Sequence, residues 1–380
     1  MQSKGGFVKT NRSLALAATA ALAFSLQPAQ PSTAQAPLPA GLIFTHNGSV
    51  WRAGQTGSIT QLKWPDASQS VSYADLSTDG KRLLYQADGE IWLFDLASGQ
   101  SRNITQSPAR YDGSPQWWSE NGQTVLFVTL DKEPVLPPGS ISGLRDEPIT
   151  VTSIRIDGSD PRTLFTTRVA PVAVFRVGSA RPRFDALIQA ARDERTVLIH
   201  RIDSDSATLG FQFFQQGKGT APIGTRLLRG GRPGRNAPNM GVSEPNGARL
   251  AAFSFNKAKS WLTVIDLERN TLAYIDTVPG NPSLGLPGNA WSPDGRWLAY
   301  TVNANESYRR TELRIVNART LKLQMVVPIS DVENSFVWSS TGALALTPSD
   351  NEASLLVTPA RRSVVELSLP EGARVVSWAQ

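Results

Sequence analysis

Eight side chains in two stretches of this chain are of the types that hold an anion. Lys218, Arg226, Arg229, Arg232 and Arg235 lie between Gln216 and Arg235, and Tyr308, Arg309 and Arg310 lie between Asn303 and Glu312. A guanidinium fork donates in parallel to two oxygens of a carboxylate or phosphate, and that is the chemistry such a cluster offers. The longer stretch sets its cations among six glycines and two prolines, a composition of loops. Two readings follow: a solvated linker, or a docking site for an anionic partner or membrane surface.

Other reactive groups are sparse. His46 and His200 are the two histidines, and neither has an Asp or Glu at the spacing of a metal-ligand set or a catalytic triad. Both read as strand residues. With no cysteine, disulfides, thiol catalysis, thiolate metal sites and a lipid-modified cysteine are excluded. Asp75, Asp112 and Glu244 lie in or beside strands that would line a central channel. Two such acids about 5 to 10 Å apart would have the geometry to cleave a glycoside. The same acids could hold a channel Ca²⁺, although no EF-hand spacing is present. No catalytic residue, metal ligand or cofactor is assigned.

The start of the chain predicts export. Lys4, Lys9 and Arg12 precede the apolar stretch Leu14 to Leu26, and Ala34-Gln-Ala36 supplies a small-x-small cleavage site before Pro37. Residues 1–36 therefore read as a secretory signal peptide and 37–380 as one domain, periplasmic or extracellular. The apolar stretch is shorter than the roughly 20 residues of a spanning helix, and no other segment approaches that length. The net charge is +6, of which Lys4, Lys9 and Arg12 supply three, leaving +3 after cleavage. So small a surplus does not predict nucleic-acid binding.

The elements that must position these groups come from a repeated phrase. Its clearest copy is Asn289-Ala-Trp-Ser-Pro-Asp-Gly295 followed by Trp297-Leu-Ala-Tyr300, with degenerate copies ending at Gly80, Gly122, Gly247 and Gly342. The glycines are separated by 42, 125, 48 and 47 residues, and the long interval hides a worn copy at Val172 to Pro182. A unit of roughly 40 to 50 residues fits a four-stranded propeller blade. The second unit reads as strands over 72–76, 82–86, 90–95 and 101–105, joined by Asp79-Gly80, Asp88-Gly89 and Ser98-Gly99. Second strands are unbroken apolar runs, as expected of sheets packed on both faces, and Trp118, Trp291 and Trp338 are expected to fill the space between them.

The two termini complement each other. The chain opens at Gly41-Leu-Ile-Phe-Thr45 with no inner strand before it and ends on Arg374-Val-Val-Ser-Trp-Ala-Gln380, an inner-strand pattern. Pairing the two closes the first blade and removes a sheet edge. The expected fold is an all-β propeller of seven four-stranded blades, with six or eight as alternatives.

The Trp-Ser-Pro-Asp-Gly turn with Arg296-Trp-Leu-Ala-Tyr300, and Glu90-Ile-Trp-Leu-Phe-Asp-Leu-Ala-Ser-Gly-Gln100, resemble the TolB-type β-propeller repeat. The resemblance implies a lone propeller, without the N-terminal α/β domain or the C-terminal hydrolase domain that accompany the repeat elsewhere, and the chain is expected to be a monomer. It is specific for fold and weak for function. In a meander, loops joining strands two and three emerge on the same face as the connections between blades. The long insertions Asp131 to Pro148, Gln216 to Arg235 and Asn303 to Glu312 should therefore gather on one face, the expected recognition surface for a protein or cell-envelope component. The alternative is a hydrolase or lyase using channel acids on carbohydrate or peptide.

Overall fold

The computed structural model describes residues 32–380 apart from 48, 64–71, 78, 107–110, 120, 131–146, 170–171, 175–182, 186–187, 191–193, 204–207, 223–239, 256–258, 270, 280–282, 287–288, 304–310, 331–335, 349–352 and 380. Strands dominate the described residues because the chain there alternates short apolar runs with Gly, Asp and Asn turns. Among the described residues no helix is long and apolar enough to cross a membrane.

The fold is an all-β propeller. Sheet two is the simplest: Ser72–Leu76, Arg82–Ala87, Glu90–Asp95 and Ser101–Asn103 run as an antiparallel meander, close to the strands read from the sequence. Sheet three holds Tyr111–Trp117, Thr124–Leu130, Glu147–Arg155 and Arg162–Val169; sheet five holds Met240–Ser243, Arg249–Phe255, Lys259–Asp266 and Thr271–Pro279. Sheet six holds Ser283–Gly285, Trp297–Asn303, Thr311–Asn317 and Lys322–Ile329. In each the first strand lies innermost.

Sheet one contains Leu42–His46, Ser49–Ala53 and Ile59–Leu62, and its inner strand is the C-terminal Arg374–Trp378. Leu42 pairs with Trp378 and Phe44 with Val375, and the Ala379 N–H donates to the Gly41 carbonyl at 2.9 Å. The two ends of the chain thus complete one sheet, as expected from their strand patterns.

Two parts of the organisation differ from expectation. Four strands per sheet is not uniform: sheet seven has Phe336–Trp338, Leu344–Leu346, Leu355–Thr358, Ser363–Leu367 and a fifth, parallel strand from Ser32–Ala36. The worn copy at Val172 is not the inner strand of the fourth unit. Val172–Val174 pairs with Arg183–Asp185 as a separate two-stranded ribbon, and sheet four begins at Ile188–Ala190. Thr196–Asp203, an apolar run, is then its second strand, followed by Thr208–Gln215 and Gly219–Pro222. His200 therefore sits on a second strand, paired with Phe211. Gly178 follows Val172 at the offset of the other copies, so spacing alone marked a repeat where the pairing makes a ribbon.

The core lies between sheets. Leu84, Ile91, Trp117 and Val125 join sheets two and three; Trp118, Leu126, Val197 and Phe214 join three and four. Val242, Phe253, Trp291 and Tyr300 join five and six, and Trp297, Leu313, Phe336 and Trp338 join six and seven. Leu42, Val337, Leu367 and Val375 close seven onto one. Unbroken apolar second strands such as Leu298-Ala-Tyr300, all fully buried, serve both neighbours at once.

Candidate recognition face

Five turns between first and second strands share one construction. Gly80, Gly122, Gly247, Gly295 and Gly342 have φ of +61°, +63°, +72°, +65° and +78°, a region that costs a side chain strain. In each, the glycine N–H donates back three residues, to Ser77, Ser119, Glu244, Ser292 and Ser339, at 2.8 to 3.1 Å. The serine hydroxyl accepts from the start of the next strand, as when Trp297 N–H donates to Ser292 Oγ at 2.9 Å. Ser77 and Ser292 donate in turn to Asp79 and Asp294. Burial works to raise both carboxyls, but the serine hydrogen bonds, backbone N–H groups and nearby arginines outweigh it and hold them below their usual 3.8.

Arginines from these turns reach the next sheet. Arg249 donates to both oxygens of Glu244, to the Gly295 carbonyl at 3.0 Å and to the Ala318 carbonyl, and its guanidinium lies 5.0 Å over the Trp291 ring. Its hydrogen bond to Glu244, which outweighs burial, raises its pKa further. Arg82 lies 5.5 Å over Trp117, and Arg296 donates to the Thr341 carbonyl at 3.2 Å. These clamps join sheets two to three, five to six and six to seven. They were not foreseen from the sequence, although Lys81-Arg82, Arg249 and Arg296 all follow a turn glycine within two positions.

Tryptophans complete the same joints. Trp291 Nε1 donates to the Val242 carbonyl and Trp338 Nε1 to the Asn289 carbonyl, each at 2.9 Å. With Trp118 they are buried between sheets, in the packing role expected of them. Between sheets five and six, Asp276 accepts from Tyr300 and from Arg314, which also pairs with Glu312. Burial and then the Asp276 charge push the Tyr300 hydroxyl well above its usual 10.0, so it stays a donor. Burial opposes the Arg314 charge, but Glu312 and Asp276 outweigh it and hold the guanidinium protonated.

The acids considered for a channel are engaged where their side chains are described. Glu244 is buried and held by Arg249, and Asp112 is buried and accepts from Thr129 Oγ1 at 2.8 Å. Asp75 lies in the strand Ser72–Leu76, and its side chain is outside the described residues. His46, at the end of its strand, shares a 3.1 Å contact with Asn47, and His200 belongs to sheet four.

Alternation of the meander assigns the opposite face. The chain leaves the described strands at Leu130, Pro222 and Asn303 and returns at Glu147, Met240 and Thr311. These are two second-to-third connections and one connection between sheets, so all three insertions start and end on the face away from the glycine turns. Arg226, Arg229, Arg232, Arg235, Tyr308, Arg309 and Arg310 lie outside the described residues. Lys218 is a correction. It is exposed in the tight turn between the third and fourth strands of sheet four, where Gly217 has φ +83°, so it belongs to the glycine-turn face. Gly219–Pro222, read as linker, is a strand because an edge position tolerates its glycine and proline.

No protein-family model matches the chain. A curated relative, dipeptidyl-peptidase 5 from Porphyromonas gingivalis, is 23% identical over 75 residues, 20% of this chain and 11% of that protein. Among solved structures, oligogalacturonate lyase from Vibrio parahaemolyticus is similar at 13% identity over 83% of this chain and 81% of that one, with a TM-score of 0.52. TolB from Acinetobacter baumannii is similar at 15% identity over 74% of this chain and 59% of that one, with a TM-score of 0.41. The chain thus spans less than two thirds of the length of dipeptidyl-peptidase 5 and of TolB. These likenesses are of architecture: the chain is a β-propeller in fold.

Proposed function

We propose that this chain is an exported, monomeric, non-catalytic β-propeller that binds a protein or cell-envelope component through the face carrying its long insertions. The observation that carries the reading is that the strand ends flanking 131–146, 223–239 and 304–310 lie on one face. The opposite face supports it by contrast, because its Ser, Asp and Arg groups are spent on turns and clamps within the ring. Arg226, Arg229, Arg232 and Arg235, with Tyr308, Arg309 and Arg310, would supply cations to an anionic surface on the partner. A blade number of seven belongs to the same proposal. It is supported by the seven sheets of four or five strands that stand beside one two-stranded ribbon among the described residues, and an experimental structure with six would overturn it.

The likeness to oligogalacturonate lyase invites a lyase or hydrolase reading, with or without a channel cation. That reading needs free acids, and Glu244 and Asp112 are committed to Arg249 and Thr129. The test is affinity capture from envelope extract with the full exported chain and with a version in which 223–239 is replaced by a short Gly-Ser connection. A component retained by the first and lost by the second is the expected result, at unchanged melting temperature. Equal capture by both, or turnover of a sugar or peptide abolished by changing Asp75, would sink the platform reading.

A further inference from the structure

The sequence places leader cleavage after Ala36, yet residues 32–36 are a strand of the folded ring. Ser32–Ala36 runs parallel to Ser363–Leu367 as the fifth, outermost strand of sheet seven, with Ala36 opposite Leu367. The Ser368 N–H donates to the Ala36 carbonyl at 3.1 Å. From there the chain crosses to sheet one: Leu38 packs against the cluster of Leu42, Val337, Leu367 and Val375, and the Trp378 indole N–H donates to the Ala40 carbonyl at 3.0 Å. The seam between sheets seven and one is therefore bridged twice. The C-terminal strand enters the first sheet, and the N-terminal strand enters the last.

Leader length points the same way. Cleavage after Ala36 would make a leader of 36 residues, whereas secretory leaders run about 15 to 30. A second small-x-small triplet, Ala23-Phe-Ser25, stands directly after the apolar run Leu14 to Leu22. Cleavage there gives a leader of 25 residues with a nine-residue apolar region, inside the usual 7 to 15.

Resting on the export reading, we propose that processing occurs upstream of Ser32, after Ser25, and that the exported protein keeps residues 32–36 as a clasp across the seam of the ring. Retention also covers the backbone edge of Ser363–Leu367, which Ala36 cleavage would leave bare.

The first test is intact mass and N-terminal sequencing of the exported protein. A first residue from Leu26 to Ser32 is expected; a first residue of Pro37 overturns the proposal. Met1 retained inside the cell would overturn the cut and the export reading together, whereas failure of the binding platform shows only in the capture experiment. The clasp has its own measurement. The chain over 26–380 should melt roughly 2 to 5 °C above the chain over 37–380, through lost strand pairing. Ser368→Pro removes the donor to Ala36. Leu369 N–H already closes a three-residue turn onto Leu367 at 2.8 Å, a turn whose central residue accepts the proline φ. It should lower the melting temperature of 26–380 by about 2 °C and leave 37–380 unchanged. Equal shifts in both chains, or none in either, would remove the clasp.

Discussion

Arg249 shows how one side chain ties two sheets together. It neutralises Glu244, whose side chain is 3% exposed, caps carbonyls of Gly295 and Ala318, and covers Trp291. Removing it strands a buried carboxylate, the costliest way to break such a pair. Arg249→Met should therefore destabilise the protein by about 3 to 5 kcal/mol. Arg249→Met with Glu244→Leu should recover most of that loss, because no charge is then left unpaired. Urea unfolding of the two singles and the double measures the coupling, and additive losses would refute it. Position was legible here but partnership was not. A basic residue after a turn glycine is visible in Gly247-Ala-Arg249, while the acceptor at Gly295 is a neighbour only once the sheets stand side by side.

At the scale of elements, the glycine turn is the unit that sequence reads best. Hydrogen bonding from Gly295 to Ser292, and from Trp297 to the Ser292 hydroxyl, is local, so the turn forms from residues a few positions apart. Its tertiary surroundings add a second constraint. A Cβ on Gly295 would lie 2.4 Å from Glu244 Oε1, whereas one on Gly372, at φ +73°, meets nothing within 4 Å. Gly295→Ala should thus cost more than the roughly 1 kcal/mol of φ strain expected for Gly372→Ala. Comparing the two variants by thermal unfolding separates strain from collision, and equal shifts would mean Glu244 yields freely. The fourth unit shows where local reading stops. Val172 begins an apolar run that looks like an inner strand, yet it pairs in a ribbon, because inner strands are chosen by neighbouring sheets and not by their own few residues.

For the whole molecule, closure is the decisive event. Arg374–Trp378 is the strand that turns a row of sheets into a ring, so deleting residues 374–380 should leave sheet one without its inner strand and the core around Leu42, Ile43, Val50 and Val337 open. The expected outcome is a lower melting temperature and a broadened transition by calorimetry, because sheets at an open seam unfold separately. An unchanged, single sharp transition would show that closure is dispensable. The amino-acid sequence by itself determined the all-β propeller, the strands of sheet two, the tryptophans between sheets and the pairing of the two ends, since each is written in turn residues and apolar periodicity. Only tertiary structure decided that Ser32–Ala36 joins sheet seven, that Lys218 lies in a tight turn on the glycine-turn face, and that Glu244 is locked by Arg249. Those outcomes depend on which strands become neighbours when the ring closes, and strand partners far apart in a chain leave no local periodicity to read.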